Sequence, residues 1–169
     1  VRRVADMSYM FYGSTNFNGD LSSWDVRRVA TTSYMFYGST NFNGNLSLWN
    51  VSNVITMNEM FRSTSFNTDI SKWRVDKVTT MGRMFYGNTA FNGDLSKWDV
   101  RRVTGMSLMF YGCTNFNGNL SLWNVSNVIT MNGLFRLNSF NTDISKWRVD
   151  KVTAMSDMFQ DNTAFNGDL

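Results

Sequence analysis

The sequence predicts a β/α repeat solenoid, in which one parallel sheet of short strands faces short helical or 3₁₀ turns on the opposite side. Three observations support this prediction: one tryptophan and two phenylalanines recur every 24 or 25 residues, and the apolar residues between them keep a fixed pattern. Such a period is typical of repeat architectures, whose units bury their apolar faces only against neighbouring units. The tryptophans, which we expect to form one core ladder, are Trp24, Trp49, Trp73, Trp98, Trp123 and Trp147.

The sequence also has a second, longer period that spans three of these units. Two units of 25 residues and one of 24 make a super-repeat of 74 residues, and residues 26–74 match residues 100–148 at 40 of 49 positions. The shortened unit loses a residue between its two phenylalanines, which marks that stretch as a loop. We therefore predict one array of about seven units over residues 1–169. Because the chain begins and ends within a unit, we expect it to be part of a longer protein.

The strand of each unit is predicted from the run Leu21-Ser-Ser-Trp24-Asp-Val26. Its spacing is L-x-x-L-x-L, which leucine-rich repeats use for one short strand per unit. Stacking would pair each strand in parallel with its copy in the next unit, about 4.8 Å away. The Leu, Trp, Val, Met and Phe positions would then form ladders along the core.

The helical turns are predicted from the residues that follow. The apolar positions recur at steps of three or four residues, which is helical spacing; they are Val26, Val29, the next apolar position and the pair Met35-Phe36. The stretch is short enough for only one or two α-helical or 3₁₀ turns. A glycine after this stretch fits a helix cap or a turn in four units, but the third unit of each triplet lacks it. These glycines are Gly13, Gly38, Gly87 and Gly112.

One polar residue is present in every unit, namely the Asn after the second phenylalanine. Since it is flanked by core aromatic residues, we expect its side chain to point inward and to bind turn backbone of its own and the next unit. This is a structural role, not a ligand-binding one. The residues are Asn18, Asn43, Asn67, Asn92, Asn117, Asn141 and Asn166.

The run Phe-Asn-Gly-Asp-Leu-Ser-x-Trp-Asp-Val-x-x-Val-x-x-Met-x-x-Met-Phe resembles the tandem surface-protein repeat of Mycoplasma and Listeria lipoproteins, which is similar to BspA-like leucine-rich repeats. The resemblance covers the whole chain, with small departures such as Thr32 and Leu134 in place of Met. It implies a right-handed solenoid in an exported or cell-surface protein with adhesion or interaction roles. That family carries no catalytic residues, so the resemblance transfers none.

Catalysis and cofactor binding are not expected. The chain has no His, the commonest general base and transition-metal ligand. Cys113 stands where other units have Ser or Asn, so we interpret it as a drifted polar loop position and not as a nucleophile. An Asp position shared with Asn45 and Asn119 would form one edge of the stack. Calcium binding there is a minor alternative to turn capping. The aspartates are Asp20, Asp69, Asp94, Asp143 and Asp168.

Nucleic acid and membranes are not expected as partners either. The formal net charge is only +3, no apolar run approaches the length of a membrane span, and the Arg pairs are replaced in two units of three. A recurring threonine makes ice binding a further minor alternative, although its row is interrupted. The threonines are Thr15, Thr40, Thr64, Thr89, Thr114 and Thr163.

We predict a non-catalytic module of an extracellular or cell-surface protein, which displays a polar face to a protein or glycan partner. The alternative is a fibre-forming structural protein, in which the stack associates end to end with further copies of itself. The candidate interaction rim comprises Arg27, Arg28, Arg101, Arg102, Tyr37 and Tyr111.

Overall fold

The computed structural model describes residues 3–168. Over this range it has no α-helix and no β-strand, and hence no helix long enough to cross a membrane. The predicted β/α solenoid with a parallel sheet and helical turns is therefore wrong. Each unit is instead a series of turns, and isolated parallel β-bridges join each unit to the next. The bridges are Asp6–Thr31, Thr31–Thr56, Thr56–Thr80, Thr80–Gly105, Gly105–Thr130 and Thr130–Ala154.

A main-chain ladder holds neighbouring units together. Every second N–H of residues 57–63 donates to a carbonyl of the next unit, as from Glu59 to Gly82 at 2.9 Å and from Phe61 to Met84 at 2.8 Å. N–H groups between them donate three residues back within the unit. This alternation gives hydrogen-bond partners to backbone groups that in other folds are paired within a sheet or a helix. We call these segments the inter-unit ladder: 7–13, 32–38, 57–63, 81–87, 106–112 and 131–137.

Left-handed residues explain why the ladder segment is not a helix. Its third and seventh residues have positive φ, for example +56° at Glu59 and +53° at Ser63. A left-handed residue at every fourth position ends each right-handed turn, so apolar spacings of three and four arise here without a helix. In the third unit of the second super-repeat, Leu137 occupies the seventh position in place of a glycine and has a φ of +52°. Left-handed backbone destabilises a non-glycine residue by about 1–2 kcal/mol, and the ladder hydrogen bonds offset this strain.

The predicted strand is also a pair of turns. The N–H of Trp24 donates to the Leu21 carbonyl at 3.0 Å, which closes the first turn. The N–H of Ser22 donates to the Asp20 side chain at 2.8 Å and caps it. A second turn of the same kind covers residues 25–29. Side-chain carboxyl and amide groups thus bind local backbone that the prediction had assigned to a sheet.

The core consists of ladders of identical side chains. Within a unit the two phenylalanines stack face to face, 3.9 Å apart for Phe61 and Phe66. Between units the spacing is 5.7 Å for Phe61 and Phe85. The Trp98 indole N–H donates to the Ile70 carbonyl of the preceding unit at 3.1 Å, and the other inner tryptophans repeat this bond. Each unit therefore buries its apolar face against its neighbours.

Candidate functional site

Two of the candidate arginines stabilise their own turns. Arg27 is exposed, and its Nε and Nη2 atoms donate to the Asp25 carboxylate at 2.9 and 2.8 Å. Arg101 makes the same two-pronged contact with Asp99, at 2.8 and 2.6 Å. These hydrogen bonds raise the pKa of Arg27 and of Arg101 above the ordinary arginine value. Both guanidinium groups therefore already have a carboxylate partner.

The other two candidate arginines belong to a row of exposed cations. Arg28 and Arg102 lie one position further along, and neither forms an ion pair within residues 3–168. Asn53 occupies this position in a second unit, where its Oδ1 accepts a hydrogen bond from Lys77 Nζ at 2.7 Å. No acidic residue occurs in the described part of the row. We call it the cationic edge: Arg3, Arg28, Asn53, Lys77, Arg102, Asn127 and Lys151.

The candidate tyrosines lie on a different segment of the unit. Tyr37 stacks on Tyr12 with 4.5 Å between ring centroids, and the Arg62 guanidinium covers its other side at 4.8 Å. Tyr111 stacks on Tyr86 at 4.3 Å. Their ring faces are covered by neighbouring units, so Tyr37 and Tyr111 offer mainly their edges. Within residues 3–168 no ring contact or hydrogen bond joins them to the four candidate arginines.

Sequence reasoning missed a buried acid. The Glu59 side chain, only 8% exposed, lies 2.9 Å from Arg62 Nη1 and 3.5 Å from Arg83 Nη1. Burial raises the pKa of the adjacent Tyr34, and the negative charge of Glu59 raises it further. Glu59 is the single glutamate in the sequence, and this was the signal that could have identified it.

The recurring asparagines lie at the surface, so the expectation that they point inward is wrong. All seven are exposed. Each inner member accepts, through Oδ1, a hydrogen bond from the backbone N–H of the next, as Asn67 does from Asn92 at 2.9 Å. They form an external row of hydrogen bonds between units. The row comprises Asn18, Asn43, Asn67, Asn92, Asn117, Asn141 and Asn166.

A different polar position is buried, and it includes Cys113. The thiol lies 2.8 Å from the Phe85 carbonyl oxygen, and burial raises its pKa far above that of a free cysteine. Asn138 occupies the equivalent position in the next unit and donates to the Phe110 carbonyl at 2.9 Å. These side chains bind backbone carbonyls of the preceding unit, and a buried neutral thiol is a poor nucleophile.

The aspartate edge consists of turn caps. Hydrogen bonds from the serine two residues on lower the pKa of Asp20, Asp69, Asp94 and Asp143. Asn45 makes the same bond to Ser47 at 3.0 Å, so the position does not require a charge. No group of three or more potential metal-binding His, Cys, Asp or Glu residues occurs within residues 3–168.

The threonine row is broken at the third unit. Thr64 is buried and donates to the Phe61 carbonyl at 2.9 Å, whereas Thr40 and Thr89 are exposed. One exposed threonine per unit, with gaps, is not the two-dimensional array that ice binding needs.

Comparison with known proteins gives one family. The model described as "Mycoplasma protein of unknown function, DUF285" matches three overlapping stretches, residues 1–97, 46–140 and 85–169. Tandem matches across the whole chain agree with the repeats and with the Mycoplasma part of the resemblance seen in the sequence. No curated protein and no solved structure is detectably similar to the chain.

Proposed function

The chain belongs to the Mycoplasma protein family of unknown function DUF285, and from this premise we propose that it is a non-catalytic cell-surface repeat module that presents an exposed edge to a protein or glycan partner. The observation that carries this proposal is the cationic edge. Arg28 and Arg102 lie exposed and without an ion pair in the described chain, whereas every described arginine outside the edge forms one. Exposed charges in a regular row are suited to recognition.

The state of the reactive groups supports a non-catalytic role. The Cys113 thiol is buried, the aspartates cap turns, and Glu59 lies between two arginines. A general base or nucleophile must be able to reach a substrate and exchange a proton with it. Cys113 and Glu59 are buried, and the exposed aspartates already accept hydrogen bonds from their own turns, so none of these groups is both exposed and without a local partner.

The ladder supports a role in display. It fixes one unit against the next through main-chain hydrogen bonds, so equivalent side chains recur at constant intervals. Repeat proteins use such regular surfaces to bind extended partners. Because the backbone is already ordered, the conformational entropy lost on binding comes mainly from the edge side chains.

The test combines assembly state with binding. Light scattering during size-exclusion chromatography, with electron microscopy of the same sample, distinguishes a discrete particle from a filament. Labelled protein is then applied to protein and glycan arrays, and protease treatment of intact cells reports surface exposure. We expect a discrete particle that binds a partner and is cleaved on intact cells.

Filaments would replace this proposal with the fibre-forming alternative. Failure to bind on both arrays, or protection from protease on intact cells, would contradict it.

A further inference from the structure

We propose that the cationic edge binds a linear acidic glycan, which lies along the stack with its carboxylate or sulfate groups against Arg28, Lys77, Arg102 and Lys151. This inference rests on the proposed function, because it names the partner of the same edge. It goes further by specifying the chemistry of that partner and its direction relative to the stack.

The edge stays cationic because neighbouring acids are neutralised by other residues. Each acidic residue in the adjoining turn forms an ion pair with an arginine outside the edge. Five of the seven edge positions are cations, and none of these five forms an ion pair within residues 3–168. The neutralising pairs are Arg27–Asp25 (2.8 Å), Arg74–Asp76 (3.6 Å), Arg101–Asp99 (2.6 Å) and Arg148–Asp150 (3.0 Å).

The two neutral positions leave only small gaps in the row. Asn53 donates through Nδ2 to the Arg27 carbonyl at 2.7 Å and accepts from Lys77 Nζ at 2.7 Å. The ammonium group of Lys77 therefore lies beside the neutral position and not far out in solvent. Lys151 contacts Asn127 in the same way, at 2.6 Å. Positive charge thus follows the edge almost continuously.

The spacing of the row matches a polymer with one charge per sugar or per disaccharide. Parallel units hydrogen-bonded through their backbones are about 4.8 Å apart, which is close to the length of one sugar residue in an extended chain. Cations at one-unit and two-unit intervals, as from Arg3 to Arg28 and from Arg28 to Lys77, would then meet successive acidic groups.

The positions two residues beyond the edge carry Ala, Ile or Thr, and we call them the shelf: Ala5, Ala30, Ile55, Thr79, Thr104, Ile129 and Thr153. Ile55 and Ile129 are 46% and 44% exposed there. The hydroxyls of Thr79 and Thr104 donate to carbonyls of the preceding unit at 3.2 Å, so these groups are already bonded. A sugar ring has an apolar C–H face beside its charged substituents, and the combination of shelf and cationic edge is complementary to it.

A single-stranded nucleic acid fits this surface less well. Proteins that bind such strands use a basic groove together with exposed aromatic faces on which bases stack. The edge and the shelf contain no aromatic residue within residues 3–168. The tyrosines of the candidate rim have their faces covered, as Tyr86 and Tyr111 cover each other at 4.3 Å.

The test uses variants built from residues that the repeat itself supplies. Asn is natural at positions 53 and 127, so Lys77→Asn, Arg102→Asn and Lys151→Asn together remove three edge charges with substitutions that fit the turn. The control removes three charges from the same three units, at a position where Ser23 is natural and where no cation forms an ion pair within residues 3–168. Its substitutions are Lys72→Ser, Lys97→Ser and Lys146→Ser.

Binding is measured by fluorescence anisotropy with four labelled probes over a range of salt concentrations. The probes are a heparin dodecasaccharide, a polygalacturonate oligomer, neutral dextran and oligo-dT. We expect the parent chain to bind at least one acidic glycan and not dextran. The edge variant should bind at least tenfold more weakly, with a shallower salt dependence, and the control should stay within about threefold of the parent. Circular dichroism and urea unfolding check that both variants fold.

Three results would overturn the inference. Equal weakening in the edge variant and the control would mean that binding follows total charge. Oligo-dT binding as tightly as the glycans would favour a nucleic acid. If the parent chain bound neither of the two acidic glycans, this class of partner would be excluded. In that last case, a protein partner on the arrays would leave the proposed function standing, and no partner at all would remove both.

Discussion

The two copies of the super-repeat differ at 9 of 49 aligned positions, and all nine lie in the inter-unit ladder or within two residues of it. In the first copy, the Glu59 carboxylate is buried between Arg62 and Arg83. In the second copy, the equivalent residue is Gly133, and Leu108 covers it so closely that an added Cβ would lie 2.6 Å from Leu108 Cδ2. One position therefore holds a buried ionic cluster in one copy and a leucine over a glycine in the other.

The backbone is nearly the same in both copies. Glu59 and Gly133 have φ values of +56° and +55°, and their N–H groups donate to the next unit at 2.9 and 2.8 Å. The main chain thus fixes this part of the fold, and the side chain is free to vary as long as its neighbours fit. The stretch between the variable positions does not differ between the copies: residues 40–58, which include edge position Asn53, are identical to residues 114–132.

The largest expected effect comes from moving one residue between the copies. Gly133→Glu puts a side chain against Leu108 and beside Asp157, which stands where the first copy has Arg83. Overpacking and left-handed strain together should lower the free energy of unfolding by about 3 kcal/mol or more. Urea unfolding followed by tryptophan fluorescence measures this change.

The rescue variant sharpens this prediction. Adding Leu108→Tyr and Asp157→Arg to Gly133→Glu rebuilds the first-copy cluster, and most of the lost stability should return. A triple variant no more stable than the single one would contradict the view that the two arrangements are interchangeable solutions on one backbone.

The reverse change should have a smaller effect. Glu59→Gly relieves left-handed strain but leaves Arg62 and Arg83 facing each other without their carboxylate. Because Arg83 is about half exposed, solvent weakens the repulsion, and we expect a net loss of about 1–2 kcal/mol. Glu59→Gln, which keeps the shape and removes the charge, is the control. An unchanged melting temperature for Glu59→Gln would mean that the charge of the cluster adds no stability.

The aspartate edges of the two copies are alike, so the loss of their turn caps in acid should weaken both copies in the same way. Hydrogen bonds that the carboxylates accept from the turn lower the pKa of Asp69, Asp94 and Asp143 below the ordinary value of 3.8. The charged form is favoured in the folded state, so this stabilisation is present above about pH 4 and is lost as the pH falls further.

The matched variant replaces these three aspartates with Asn, as at Asn45 and Asn119. Urea midpoints measured from pH 6 to pH 3 should fall less steeply for this variant than for the parent. Parallel curves would show that the turn caps do not account for the acid sensitivity.

The smallest effect is expected at Cys113. Ser39 occupies this position in the first copy and donates to the Phe11 carbonyl, so Cys113→Ser should change stability by less than about 1 kcal/mol. The thiol of the parent should react with a disulfide reagent only as the protein unfolds, because it is buried. Rapid labelling of the native protein would contradict this placement.

Much of the packing could be derived from the sequence, but the backbone could not. The tryptophan and phenylalanine periods place the side chains that stack in the core, because identical residues one repeat apart must meet when units stack. The capping role of Asp20 was also expected, since a short carboxylate readily binds backbone two residues on.

The errors have physical causes. Apolar steps of three and four fit a helix, but they fit consecutive turns with a left-handed residue at Tyr34 or Leu108 equally well, and nothing in those side chains signals positive φ. The L-x-x-L-x-L spacing fits a strand, but Asp20 and Asp25 bind the local N–H groups and close turns there instead.

The most direct test is the detection of scalar couplings across backbone hydrogen bonds by nuclear magnetic resonance. The account predicts couplings from the amide nitrogens of Glu59 and Phe61 to the carbonyl carbons of Gly82 and Met84, with equivalent couplings in the other ladders. Couplings that instead join residues 70–75 to residues 95–100 would show a parallel sheet at the Trp segment and would contradict a fold held together by turns and the inter-unit ladder.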